Sequence, residues 1–154
     1  MLLRKANLQD VHNNLANIFI DAFNLHLRCR PDIFGSSKSD EELKNELINI
    51  IENDNNIIVC EYDGIVVGYI MYKINAKKSK VLWIDQLAVD EDQRGKGIAK
   101  LLINKVRNLA NEENCDRVEL CCWDFNDNAM EMYKHLGFKT QRVIFEEWCN
   151  KDII

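Results

Sequence analysis

Residues Val89 to Lys100 read VDEDQRGKGIAK. Before them, residues 81–89 form a β-rich run. After them, Ile98, Leu101, Leu102, Val106, Leu109 and Ala110 recur at helical spacing. A strand therefore ends, a glycine-containing loop follows, and a helix begins. Such a loop turns successive backbone N–H groups toward one point, where the helix N-terminus adds roughly half a positive charge. Gly95 and Gly97 keep side chains away from the backbone there, while Arg94 and Lys96 bring formal charge. On physical grounds the stretch reads as a pyrophosphate site. A P-loop needs Gly-Lys-Ser/Thr, and Gly97 is followed by Ile98. A dinucleotide fingerprint needs a third glycine where Lys100 stands, and normally follows the first strand of a parallel sheet.

Working outward, the sequence before the loop reads as an antiparallel run. Ile57 to Tyr62 and Ile65 to Ile74 are β-rich and flank Asp63-Gly64, the dipeptide that suits a type I′ hairpin turn. Residues 81–89 supply the next strand. Further upstream, Leu2 to Lys5 reads as an opening strand. Val11, Leu15, Ile18, Phe19 and Ala22 mark a helix from Asp10. Ser39-x-x-Glu42 is a capping-box pattern that starts a second helix over 40–52. Gly35 to Ser39 reads as the loop between the two. Downstream, the pattern predicts a strand over 117–123, a short helix over 127–136 stopped by Gly137, and a last strand over 138–147. The order β-α-α-β-β-β-α-β-α-β gives an α/β class, with a mixed and mostly antiparallel sheet flanked by helices.

A length of 154 residues predicts a single domain, 1–154. Hydrophobic residues at 47% and charged residues at 29% suit a soluble globule. The longest nearly apolar run, Ile65 to Tyr72, is far too short to cross a bilayer. Met1 to Lys5 starts no stretch of signal-peptide length, so a cytoplasmic protein without membrane partners is expected. A net charge of −5 argues against nucleic acid as a partner and favours cationic substrates. The six cysteines form no C-x-x-C pair, and no zinc-finger spacing occurs. They read as small buried hydrophobes in a reducing compartment, with no metal site.

A second stretch gives the loop its meaning. Asn126 to Phe138 read NDNAMEMYKHLGF. Together with Arg94-x-x-Gly97-x-Ala99, they resemble the N-x-x-A-x-x-x-Y-x-x-x-G-F and R-x-x-G-x-[GA] segments of the GNAT superfamily of acetyl-CoA-dependent N-acetyltransferases. The resemblance runs over about residues 2–145, and is most specific over 84–99 and 123–138. It implies the GNAT fold and transfer of an acetyl group from acetyl-CoA to an amine by direct attack. The acceptor stays open between a small molecule such as a polyamine and a protein amine. A homodimer is compatible with the superfamily.

The resemblance also implies residue roles. The strand over 84–89 would splay from its neighbour, and the backbone of Leu87, Ala88 and Val89 would pair with the pantetheine amides. Arg94, Gly95, Lys96, Gly97, Ile98, Ala99 and Lys100 would hold the pyrophosphate. Asn126 would hydrogen-bond near the pantetheine arm, and Ala129 would be small where the cofactor passes. Tyr133, one helical turn after Ala129, would act as general acid; its structural alternative is an interfacial core aromatic. Direct transfer needs a neutral amine, hence a base. Asp85 resembles the catalytic carboxylate of polyamine N-acetyltransferases at the same strand position, against the alternative of a cross-strand-paired surface carboxylate. Glu61 and Glu147 carry no motif support. His26 to Phe34 (HLRCRPDIF) resembles a stretch of a bacterial GNAT subgroup and brings Arg28, Arg30 and Asp32 into question as acceptor contacts. Two rival readings are a non-catalytic acyl-CoA-binding module and a nucleotide-binding protein.

Overall fold

Asp63 and Gly64 turn β2 (Ile57–Tyr62) back onto β3 (Ile65–Ala76) with φ of 49° and 78°. A type I′ turn needs positive φ at both positions. β4 (Lys80–Val89) continues the antiparallel meander, and β1 (Leu2–Lys5) pairs antiparallel with the other edge of β2. Helix α5 (Ile98–Glu112) then crosses over so that β5 (Arg117–Leu120) runs parallel to β4. The computed structural model describes residues 1–149. Among them the sheet order is β1-β2-β3-β4-β5, the mixed and mostly antiparallel sheet expected.

The remaining helices are α1 (Leu8–Asp10), α2 (Ala16–Cys29), α3 (Pro31–Phe34), α4 (Asp40–Asn53) and α6 (Asp127–His135). The α4 capping box is formed as read. Glu42 N–H donates to Ser39 Oγ at 3.1 Å, and Ser39 N–H to the Glu42 carboxylate at 2.7 Å. One sheet face is covered by Val11, Leu15, Phe19, Leu43, Leu47 and Ile51, which pack with Ile57, Val59, Val66, Tyr69 and Met71. The alternate strand residues Ile58, Ile70, Leu82 and Ile84 are also buried and belong to the opposite face. There α5, with Leu102, Ile103 and Val106 buried, packs on β2, β3 and β4.

An ion-pair clamp fixes the start of the chain. Arg4 donates to both carboxylate oxygens of the buried Asp10, at 2.7 and 2.8 Å, and to Glu61 at 2.7 Å. Burial alone would raise the Asp10 pKa. The Arg4 hydrogen bonds and the Asn7 N–H outweigh it and hold the carboxyl below its ordinary value. Glu61 is thus occupied structurally.

Several expectations are corrected. No strand forms over 138–147. Val143, Ile144 and Phe145 are consecutive, so a strand there would need both faces covered. They are instead 64%, 80% and 92% exposed. β5 ends at Leu120, leaving Cys121 and Cys122 outside the ladder. Of the six cysteines, none of them in a disulfide, only Cys60 is buried. Cys29, Cys121 and Cys149 are exposed, and Cys115 and Cys122 are half-buried. The first helix starts at Leu8 and is interrupted by a π-turn over Val11–Leu15. Apart from these corrections, the described residues group into two compact units, Met1–Cys121 with the sheet and α1–α5, and the stretch from Cys122 with α6.

Candidate active site

In the first unit, β4 is the central element. Its ladder with β5 covers only Val81–Ile84. Gln86 to Val89 therefore pair with β3 on one side and, among the described residues, have no strand on the other. Such an edge presents alternating N–H and C=O groups to an extended amide chain. Leu87, Ala88 and Val89 lie on it and are half-buried.

The edge leads into the loop. Asp90 ends the strand and caps a 3₁₀ turn over Glu91–Gln93, its Oδ1 accepting from Asp92 N–H at 3.1 Å. Gly95 and Gly97 then take φ of 78° and 80°, the left-handed region that glycine enters without strain. A Cβ built on either would meet nothing within 4 Å, so both border open space. Gly97 is the N-cap of α5, and no side chain caps that helix. Its first intrahelical donor is Leu101 N–H, to Gly97 O at 3.1 Å. The N–H groups of Ile98, Ala99 and Lys100 precede it and make no intrahelical bond. Arg94 and Lys96 are exposed. Arg94 Nε reaches Val89 O at 3.3 Å, and Lys96 Nζ reaches Gln93 Oε1 at 2.7 Å. Buried Ile98 roots the helix start. The donor set, the helix dipole and the open space suit a diphosphate.

Sequence reading missed what lets the cradle sit there. A Cβ on Gly68 of β3 would stand 3.0 Å from Ile98 Cγ2 and 3.1 Å from Ala88 O. Glycine at this position permits β3, the end of β4 and the start of α5 to approach closely. An isolated Gly in a strand pattern was the available signal. Gly68→Ala is expected to overpack this junction by about 1–3 kcal/mol, which a melting curve would read as a fall in Tm of roughly 3–10 °C.

Asp85 sits at a β-bulge. Met71 pairs with Gln86 and Tyr72 with Ile84, so Asp85 is the extra residue of β4, and bulges re-aim side chains. Its carboxylate is 3.1 Å from Lys73 Nζ and 39% exposed. One residue on, Gln86 Oε1 accepts from the hydroxyl of the fully buried Tyr69 at 2.8 Å. Burial pushes the Tyr69 phenol up, so it remains a donor.

His26 and Arg28 lie on the last turn of α2, and Pro31–Phe34 forms α3. His26 Nδ1 is 2.7 Å from Ala22 O, and its ring stands 5.1 Å from that of Phe34. Arg30 is paired with Asp32 at 2.8 Å. The ring contact and the ion pair lie within the segment, and the His26 contact is to its own helix.

In the second unit, Asn126 caps α6, its Oδ1 accepting from Ala129 N–H at 3.4 Å. The amide oxygen is thereby engaged in the cap. Half-buried Tyr133 is placed by the helix C-terminus. Phe138 N–H donates to Tyr133 O and Gly137 N–H to Lys134 O, each at 3.0 Å, with Gly137 at φ 92°. This pair of bonds is a Schellman motif, whose usual companion is an apolar contact across it. Here the Tyr133 and Phe138 rings meet edge to face at 5.7 Å. The Gly-Phe dipeptide thus braces the tyrosine ring. Burial, with the Cys122 charge adding to it, pushes the Tyr133 phenol up to about 12. Cys122 is a neighbour that no motif pointed to. Glu147 belongs to the stretch without regular structure.

Among the described residues no cluster suits a metal ion, and no helix is long and apolar enough to cross a membrane. Residues 19–138 match the Acetyltransferase (GNAT) family. An uncharacterised N-acetyltransferase of Methanocaldococcus jannaschii is 35% identical over 96 residues, which cover 60% of this chain and 42% of that one. A spermine/spermidine N(1)-acetyltransferase of Bacillus subtilis is 30% identical over 84 residues, covering 51% and 55%. The chain spans about half the length of the curated relatives it matches. A Bacillus halodurans protein of known structure superposes with a TM-score of 0.81 at 23% identity, over 97% of this chain and 100% of that one. A ribosomal-protein-alanine N-acetyltransferase of Brucella melitensis gives 0.72 at 18%, over 96% and 99%. With its family match covering most of the sequence, the chain belongs to the GNAT acetyltransferase family.

Proposed function

We propose that the protein is an N-acetyltransferase that uses acetyl-CoA and acts on a cationic amine. The observation that carries this reading is the open edge of β4 running directly into a glycine cradle at an uncapped helix start. Acetyl-CoA, when bound, supplies the acetyl group as a thioester. The backbone of Leu87, Ala88 and Val89 would hold its amide arm as an added strand. The loop from Arg94 through Gly95, Lys96, Gly97, Ile98 and Ala99 to Lys100 would hold its diphosphate. Asn126 and Ala129 would border the arm. Tyr133 would keep a proton on its hydroxyl throughout the neutral range and deliver it to the leaving group, because its phenol titrates far above pH 7.

Asp85 would take the proton from the incoming ammonium. Its present partner is itself an alkylammonium, Lys73, so the carboxylate already holds the kind of group a cationic acceptor would bring. The name of the Bacillus subtilis relative supports the same class of acceptor. The test is release of CoA thiol with a panel of amines at several pH values. Release with di- and polyamines above neutral controls is expected. Acetyl-CoA binding without release for any amine would instead leave a binding module, and stabilisation by ATP or NAD rather than CoA would remove the reading altogether. In the same assay, Asp85→Asn is expected to lower kcat/KM by about 10²-fold or more near neutral pH. The loss should shrink at high pH, where the amine deprotonates in solution. A loss independent of pH would mark Asp85 as a structural partner of Lys73 only.

A further inference from the structure

The helix pattern that begins the chain is broken at Asn13-Asn14. Inside the π-turn Val11–Leu15, Asn13 takes φ −103°, ψ 55° and Asn14 takes φ 73°, ψ −14°. A left-handed non-glycine residue costs roughly 1–2 kcal/mol, with asparagine among the few that adopt it.

The side chains turned inward by this break make specific bonds. Asn13 Nδ2 donates to Gly64 O at 2.8 Å in the β2–β3 turn. Asn14 Nδ2 donates to Val66 O at 3.0 Å and to Asp90 Oδ2 at 2.6 Å. Both Asn14 partners are pure acceptors, so the amide nitrogen must face them. Asn17 Nδ2 donates to Asn14 Oδ1 at 3.1 Å and holds the amide from behind.

Asp90 is where β4 becomes the loop. Its N–H donates to Val67 O at 3.0 Å. Its Oδ1 accepts from Asp92 N–H at 3.1 Å, and its carbonyl from Gln93 N–H at 2.9 Å. Gln93 in turn takes Lys96 Nζ at 2.7 Å. The bonds that open the way to the Gly95–Gly97 cradle therefore start from Asp90. The second oxygen of its carboxylate is held by Asn14, some 76 residues earlier in the chain.

We infer that Asn14 is a positioning residue for the diphosphate loop: by holding Asp90, it presets the 3₁₀ turn and the glycine cradle for the cofactor. The strained left-handed backbone at Asn14 is what lets the amide reach. This rests on the reading of the loop as the acetyl-CoA site. Ordering that loop before binding, rather than during it, is reflected in affinity.

Two variants separate the amide from the backbone. Asn14→Gly keeps the left-handed conformation without strain and removes the amide. Asn14→Asp keeps the shape but sets one carboxylate against another. Each is expected to weaken CoA binding, measured calorimetrically, by roughly tenfold, the size of one hydrogen bond to a charged group. In turnover, KM for acetyl-CoA should rise while kcat at saturation holds within about twofold. The double variant Asn14→Asp/Asp90→Asn reverses donor and acceptor. It should recover part of the loss: an amide at position 90 can donate across the tie and its oxygen can still accept from Asp92 N–H, whereas the bond to Val66 O stays lost. Amide hydrogen exchange at Asp92 and Gln93, which needs no ligand, should quicken in Asn14→Gly by a similar factor. Unchanged CoA affinity in both single variants, or a loss in Asn14→Asp of which the double variant recovers no part, would overturn the inference. If native protein fails to bind CoA while exchange still quickens, the cofactor reading has failed, and the positioning of the loop for CoA falls with it. Unchanged exchange would dispose of the Asn14–Asp90 tie itself.

Discussion

In Gly97→Val, the rise in Tm that acetyl-CoA gives the native protein is expected to vanish. A ligand at a hundredfold excess over its Kd stabilises a fold by about 2.7 kcal/mol, which for a chain of this size is roughly 5–10 °C. Gly97 stands at φ 80° with open space before it. A valine there would strain the backbone and push two methyl groups into the cradle at the start of α5. Strain and obstruction can be told apart. Gly64 has nearly the same φ, 78°, and equally open surroundings, but lies in the β2–β3 hairpin turn. Gly64→Val should lose comparable stability and keep the ligand-induced shift. If Gly97→Val retains the shift, the diphosphate does not bind at this loop.

Tyr133→Phe is expected to lower kcat by about 10²-fold, the low end of what a general acid contributes, while KM for acetyl-CoA stays nearly constant. The ring, its edge-to-face contact with Phe138 and the Schellman turn beneath it all survive the substitution. Only the hydroxyl is lost. Because the phenol titrates near 12, native activity should show no falling limb from Tyr133 below about pH 10, its unperturbed value. Stability follows the same sign. The neutral phenol is favoured in the folded state, so its stabilising contribution is whole below about pH 10 and is lost as pH climbs from there toward 12. Full turnover in Tyr133→Phe would remove the residue from the chemistry.

The elements legible in the sequence were those whose causes are local. Asp63-Gly64 announces a turn by its backbone preference, Ser39 and Glu42 announce a helix start by reciprocal bonds, and Gly137 announces a helix end. All three occur as read. The glycine loop was readable for the same reason. What escaped depends on partners distant in the chain. The bulge at Asp85 exists only in the register between β3 and β4. The close approach at Gly68 exists only when α5 has packed. Asn13-Asn14 looked like a helix interior because the bonds that break the helix reach Gly64, Val66 and Asp90. The expected last strand failed for the opposite reason. Val143-Ile144-Phe145 has strand-forming residues, but local preference makes no ladder without a neighbour.

The strand order of the sheet also bears on how the chain comes to its fold. From β2 to β5 each strand lies beside the next one in sequence, and two of those junctions are tight reversals. Little chain entropy has to be surrendered before each contact rewards it, the condition under which small proteins fold fast. β1 is the exception, since the whole helical segment between Lys5 and Ile57 separates it from its partner. Arg4, gripping Asp10 nearby and Glu61 far away, joins a local bond to a remote one. Refolding should therefore be quick for the meander and wait on the edge strand, with Arg4→Ala hastening unfolding far more than it slows the early phase.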